Sequence, residues 1–147
     1  MNSAGEAIEQ QLTVLLRRGY RVHLSTRDGD AGLDRAAYGT MCKLADDGPQ
    51  RLAALAHAFA LDPSTVTRQV KVLEAAGLAA RQADPMDGRG VVLDLTARGR
   101  ELLEQARRYR QDRLHKALAD WSDGDLNALG RLLKEFNASM DRLAADR

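Results

Sequence analysis

Apolar residues recur at helical spacing in six separate stretches of the chain. Ile8, Leu12 and Leu15 define the first apolar stripe, and residues 27–32, with two glycines and two aspartates, predict a loop after it. Each later stretch follows a residue that favours a helix start or a break in the pattern. These stretches predict helices that start near Asp34, Leu52, Asp62, Thr96 and Ser122.

The helix that starts near Asp62, the fourth in the chain, has the clearest boundaries. Asp62 is a predicted N-cap, Pro63 suits the first helical position, and Gly77 suits the left-handed residue that ends a helix. Its predicted core face consists of Val66, Val70 and Leu73. The opposite face carries Ser64, Arg68 and Lys71, with Thr65 and Thr67 on its shoulders. This outer face therefore places short hydroxyls near the helix N-terminus and cations further along.

A hairpin follows the fourth helix. Segments 78–81 and 91–96 predict two short strands, and residues 84–90 between them are dense in the turn formers Asp, Pro and Gly. The loop is too long for a tight turn, and Arg89 lies near its end between two glycines. The predicted order is four helices, a hairpin and two more helices, which is a mostly α-helical fold.

Two helices joined by a short turn and followed by a hairpin form a winged helix-turn-helix, whose second helix can enter a DNA major groove. The candidate reader is the helix over residues 63–76, since it presents hydroxyls and Arg68 to the outside. Its N-terminus also offers backbone N–H donors to a phosphate. Arg89 at the hairpin tip is suited to the DNA backbone or to a narrow minor groove.

Four segments carry a resemblance to a known family. They are DPSTVTR at 62–68, VKVLEAAGL at 70–78, DPMDGR at 84–89 and LDLTARG at 93–99. In order and spacing these segments resemble the MarR family of multiple-antibiotic-resistance-type regulators. The resemblance implies an obligate homodimer built from a dimerisation helix and loop in 1–33, a winged helix-turn-helix in 34–99 and C-terminal dimerisation helices in 100–147.

The resemblance also implies roles for residues at the matching positions. It places Lys71 near phosphate and Arg89 at the wing tip, with Asp87 paired to Arg89 as a support. Gly88 departs from the family pattern, because a second arginine often stands there, and fewer wing contacts are therefore expected. At the major groove the resemblance places Ser64, Thr65, Thr67 and Arg68.

A small-molecule site is a further implication of the resemblance. Relatives have a cavity between the dimer region and the winged domain that takes small aromatic or phenolic ligands. The candidates to line it are Arg17, Tyr20, Tyr38 and Met41.

Composition limits the class of protein but does not select DNA binding. The chain has 147 residues, 44% of them hydrophobic and 29% charged, which is typical of one folded globular unit. Its 22 Lys and Arg residues nearly balance 21 Asp and Glu residues. A winged helix that serves as a protein-interaction module is therefore the alternative, with Arg68 and Lys71 on a solvated face and Arg89 neutralised by Asp84 or Asp87.

No enzyme, metal or membrane motif stands out. No activated nucleophile, glycine-rich phosphate loop or carboxylate pair is evident, so no catalytic residue, cofactor or metal is expected. The lone Cys42 is expected to be a buried structural thiol. The absence of a long apolar run predicts a cytoplasmic protein. The favoured function is a ligand-responsive repressor that binds a palindromic operator as a homodimer.

Overall fold

The computed structural model describes residues 3–18 and 34–146 of the chain. Within these residues, helices and a two-stranded antiparallel sheet follow in the predicted order, which confirms the mostly α-helical class. The helices are α1 (Ser3–Arg17), α2 (Arg35–Asp47), α3 (Leu52–Phe59), α4 (Pro63–Ala75), α5 (Ala97–Ala117) and α6 (Asp123–Ala145), and the strands are β1 (Ala79–Ala83) and β2 (Val91–Leu95).

Side-chain caps start four of the helices where the sequence predicts them, at Asp34, Asp62, Thr96 and Ser122. The Asp34 carboxylate accepts the backbone N–H of Ala37 at 2.8 Å, which satisfies a donor that has no partner inside α2. Asp62 does the same at the start of α4, and Ser122 at the start of α6. These starts are predictable because each cap joins residues only two or three positions apart.

One hydrophobic core joins α2, α3, α4, the hairpin and α5. Val66, Val70 and Leu73 are all buried, which confirms the predicted inner face of α4. Burying them turns the opposite side of that helix outward. The remaining core is supplied by Ala37, Met41, Leu44, Leu55, Ala56, Leu78, Ala79, Leu93, Leu95 and Leu103.

The hairpin pairs β1 with β2 in a register that runs from Ala79 opposite Leu95 to Ala83 opposite Val91. The first strand extends two residues beyond the prediction, because its partner strand holds it and not because its own residues favour a strand. Gln50 also joins this sheet: it exchanges two backbone hydrogen bonds with Leu93, at 3.0 and 2.7 Å. The turn between α2 and α3 is thereby attached to the wing.

The end of β2 passes closely over the end of α4. Thr96 accepts the N–H of Gly99 at 3.0 Å and donates its hydroxyl to the carbonyl of Gly77 at 2.6 Å. A Cβ on Gly99 would lie only 2.0 Å from the Leu78 carbonyl oxygen, so this position requires glycine. Gly77 has a φ of +72°, which confirms its predicted role at the helix end.

The chain divides into two compact units, Met1–Gln111 and Asp112–Arg147. The first unit contains the winged helix, and the second contains α6, which has no buried residue in the single chain. No helix among the described residues has the length and apolar character that a bilayer span requires. The large apolar side chains that α6 exposes are Leu132, Leu133, Phe136, Met140 and Leu143.

Candidate nucleic-acid interface

The outer face of α4 is free of the core. Ser64, Arg68 and Lys71 are exposed, and Thr65 and Thr67 are partly buried on the shoulders of the helix. Among the described residues, Lys71 makes no ion pair within 4.0 Å. The five side chains therefore lie together on one helix surface, as the sequence predicts, and their contact with DNA stays a prediction.

The hydroxyl groups on this face are already hydrogen-bonded within the helix. Ser64 donates its hydroxyl to the Asp62 carboxylate, and Thr67 donates to the carbonyl of Pro63 at 2.9 Å. Thr65 accepts a long bond of 3.5 Å from the Arg68 guanidinium. Because the protons of Ser64 and Thr67 are engaged, these two oxygens face the outside chiefly as acceptors. Arg68 makes one long hydrogen bond and is the donor of the group.

The Asp62 carboxylate occupies the N-terminus of α4. It accepts the N–H of Ser64 at 3.0 Å, and the hydrogen bonds from Ser64, with the nearby charge of Arg68, lower the pKa of Asp62. An ionised carboxylate here competes with a phosphate for the free N–H groups of the first turn. The sequence prediction that this N-terminus offers its donors to a phosphate omitted this competition.

The wing tip, residues 84–90, is held by its own aspartates. The Asp87 carboxylate accepts the backbone N–H of Arg89 at 3.1 Å, and the Asp84 carboxylate accepts that of Met86 at 2.9 Å. Backbone hydrogen bonds between Asp84 and Gly90, and between Gly90 and Asp87, close the loop at 2.9 Å each. Asp87 therefore contacts Arg89 through the main chain, and the Arg89 guanidinium has no ion pair among the described residues.

Arg51 is a part of this site that the sequence analysis did not single out. It lies just before α3, and its guanidinium forms an ion pair with Asp84 at 2.9 Å and another with Asp87 at 3.5 Å. The N–H of Met86, together with Arg51, holds the pKa of Asp84 below its ordinary value. Arg51 and Asp84 are 33 positions apart in the chain, so no local pattern links them.

Comparison with known proteins decides the family. The model of the MarR family matches residues 33–91. The HTH-type transcriptional regulator YxaD of Bacillus subtilis is 37% identical over 133 residues, which cover 90% of this chain and 92% of YxaD. The chain belongs to the MarR family. This MarR-family protein is therefore a DNA-binding regulator of transcription with a winged helix-turn-helix.

Two further proteins, one curated relative and one solved structure, are similar to this chain. The HTH-type transcriptional repressor NicR of Pseudomonas putida is 34% identical over 100 residues, which cover 66% of this chain and 63% of NicR. The structure of a MarR family protein from Bacillus stearothermophilus has a TM-score of 0.74 and 23% identity, covers 96% of this chain and 99% of its own, and supports the fold.

The four candidate effector residues have different environments. Arg17 is exposed on α1, Tyr20 lies outside the described residues, and Met41 is fully buried in the core. The guanidinium of Arg110 lies 4.3 Å above the ring of Tyr38. Burial, with a hydrogen bond to Cys42, raises the pKa of Tyr38. Whether these four residues line an effector site stays a prediction.

A cavity of about 250 Å³ lies elsewhere, between the start of α2 and the shoulder of α4. Of the effector candidates that the structure describes, none lines it. Its lining residues are Asp34, Ala37, Thr65, Arg68, Gln69 and Val72.

The expectation of a buried Cys42 is wrong, since this residue is only partly buried. The reason is its position on the α2 surface that faces α5. There it lies beside Tyr38 and Arg107, and Arg107 forms an ion pair with Asp46 at 2.9 Å. Cys42 thus belongs to a polar contact between two helices.

Proposed function

We propose that this MarR-family regulator is a repressor that binds a palindromic operator as a homodimer and leaves it when a small aromatic or phenolic effector binds. The observation that carries the proposal is the outward face of α4, where an exposed guanidinium and ammonium stand beside hydroxyl acceptors. A helix with such a face fits a major groove and meets both base edges and phosphates there.

Each side chain of the interface has a proposed role. Arg68 contacts a base edge, since a guanidinium donates two hydrogen bonds to guanine. Lys71 contacts phosphate, and Arg89 reaches the backbone or minor groove from the wing tip, which Asp87 helps to order. At the major groove the hydroxyl oxygens of Ser64, Thr65 and Thr67 complete the set.

Exposed apolar surface supports the homodimer. On α6, Leu133 and Phe136 remain 48% and 36% exposed, and on α1 Ile8 is 55% exposed. Contiguous apolar side chains on one helix face are typical of a surface that a partner covers. With two-fold symmetry, the two reader helices meet half-sites about one helical turn, or about 10 bp, apart.

Repression is the mode that a relative supports, because NicR is named a transcriptional repressor. The resemblance implies that an effector releases the protein from its operator. The site proposed for this effector consists of Arg17, Tyr20, Tyr38 and Met41. Since the curated relatives are named as regulators, we also infer that the chain acts by binding DNA and not by catalysis.

Selection of genomic DNA fragments tests the proposal. The protein is mixed with sheared DNA of its source at moderate salt, and the bound fragments are sequenced. Inverted repeats with half-sites about 10 bp apart are expected in the recovered DNA. Recovered sequences without two-fold symmetry would contradict the dimeric mode. Adding benzoate or phenol to the complex then tests release.

A further inference from the structure

We propose that Arg51 is the residue that positions the wing tip for DNA, because its guanidinium holds Asp84 and Asp87 and thereby orients Arg89. This inference rests on the proposed contact between Arg89 and DNA. Arg51 lies in neither the reader helix nor the hairpin, and it is not itself required to touch a base. It is a positioning residue for the regulator's established DNA binding.

The two aspartates of the wing tip are bound in the same way. Each uses one carboxylate oxygen for the main chain of the tip: Asp84 Oδ1 accepts the N–H of Met86, and Asp87 Oδ1 accepts the N–H of Arg89. Each presents its other oxygen, Oδ2, to Arg51. The single guanidinium therefore connects two turns that follow each other in the loop.

Arg51 is itself fixed to the helix-turn-helix. Its neighbour Gln50 exchanges two backbone hydrogen bonds with Leu93, and its own carbonyl accepts the N–H of Leu55 at 3.1 Å in the first turn of α3. The Arg51 side chain makes no cap hydrogen bond to that helix. Because the helix does not use it, the side chain is available to the wing.

The guanidinium also lies against the main chain of the tip. A Cβ on Gly90 would stand 2.3 Å from Nη2 of Arg51, so glycine at this position leaves room for the guanidinium. Gly90 directly follows Arg89. The contact consequently brings Arg51 to the segment whose orientation decides where the Arg89 side chain points.

The two arginines have different environments. Arg51 is paired with two carboxylates, whereas the Arg89 guanidinium has no ion pair among the described residues. The Asp84 side chain is only 12% exposed, so its bond to Arg51 is partly shielded from solvent. The Arg51 side chain is 47% exposed. Since an ion pair with an exposed partner contributes little to global stability, loss of Arg51 is expected to change the geometry of the wing and not the fold.

The test compares Arg51→Ala, Arg51→Lys, Arg89→Ala and the double variant Arg51→Ala with Arg89→Ala. Arg108→Ala is the matched control, because it removes an exposed guanidinium from a pair with Glu104 on α5, outside the wing. Affinity for the best genomic duplex is measured by fluorescence anisotropy over a salt series. Thermal unfolding and hydrogen exchange at the wing-tip amides, including that of Arg89, are measured on the same proteins.

If Arg51 acts through Arg89, Arg51→Ala weakens binding about fivefold to tenfold, and the double variant binds no more weakly than Arg89→Ala alone. Arg51→Lys does not rescue binding, because an ammonium lacks the planar fork that bridges two carboxylates. The Arg89 amide exchanges faster in both Arg51 variants, while their melting temperatures stay near that of the parent. Arg108→Ala binds like the parent.

Several outcomes overturn the proposal. Additive losses in the double variant, with rescue by lysine, would show that Arg51 contacts phosphate directly. If Arg51→Ala binds with parental affinity while Arg89→Ala binds more weakly, the wing does not need the contacts of Arg51 with Asp84 and Asp87. Parental affinity in Arg89→Ala would instead contradict the proposed wing contact, and the role of Arg51 would fail with it.

Discussion

At the scale of single residues, we propose that base reading and phosphate contact belong to different cations of α4. Arg68 stands near the N-terminal half of the exposed face, held only by a 3.5 Å bond to Thr65, and Lys71 stands one turn further along. In a reader helix, residues near the N-terminus reach the base edges. Removal of Arg68 and removal of Lys71 are therefore expected to weaken DNA binding in different ways.

Arg68→Ala is expected to cost about 1 to 3 kcal/mol of binding free energy and to relax base preference at one operator position, because a bidentate base contact is lost. Binding to the operator and to its single-base variants measures both effects. Lys71→Ala is the comparison: it should weaken all duplexes alike and lower the salt slope by about 1. Parental affinity in Arg68→Ala would contradict the assignment.

The pKa of the Asp84 carboxyl is expected to report on the ion pair between Asp84 and Arg51. In the folded protein its pKa lies below the ordinary value, so its contribution to stability is present above the unfolded pKa of about 3.9 and is lost as pH falls through the folded pKa. Arg51→Ala should raise this pKa yet leave it below the ordinary value, because the Met86 N–H remains. Carboxyl carbon NMR over an acid titration measures the shift; an unchanged pKa in the variant would argue against the ion pair in solution.

At the scale of elements, the close approach of α5 to the end of α4 depends on one glycine. Gly99→Ala is expected to destabilise the fold by about 1 to 3 kcal/mol, since the new Cβ meets the Leu78 carbonyl oxygen, which belongs to the backbone and moves only with it. Gly39→Ala is the control: among the described residues, no atom beyond its chain neighbours and the nearby backbone of α2 lies within 4 Å of its Cβ position, and it should stabilise by about 0.5 to 1 kcal/mol. Denaturant unfolding of both variants checks the opposite signs.

The helices were more predictable than the sheet. The cap at Asp62 and the stripe of Val66, Val70 and Leu73 follow from residues within one or two turns, and the structure confirms both. The residues of β1 pair through a partner strand, and Gln50 enters the sheet from a distant turn. Such pairings depend on contacts between segments far apart in the chain, for which the local pattern carries no signal.

At the scale of the whole molecule, the homodimer is proposed to depend on the apolar face of α6. Leu133→Glu is expected to raise the dimer dissociation constant about a hundredfold or more, because a buried unpaired carboxylate is costly. Lys134→Glu, on the neighbouring exposed position, changes charge without touching the apolar face and should leave the dimer intact. Light scattering at several concentrations measures assembly, and dimeric Leu133→Glu would contradict the proposal.

Affinity for the operator is expected to depend on dimerisation. Two winged units on one duplex gain affinity from their linkage, so a variant that cannot dimerise loses far more affinity than the loss of one contact would remove. Circular dichroism of Leu133→Glu should retain the helical signal, which separates loss of assembly from unfolding. A monomeric, folded variant with parental operator affinity would contradict the symmetric mode.

The helix starts, the inner and outer faces of α4 and the family signature follow from the amino-acid sequence alone, because these depend on spacing and on chemistry within a few residues. The folded chain was needed to show how Arg51 meets Asp84 and Asp87, why Gly99 must be glycine, and how far Cys42 is buried. Those features arise where segments distant in the chain come into contact. Their geometry is set by the packing of the whole winged unit and not by any one segment.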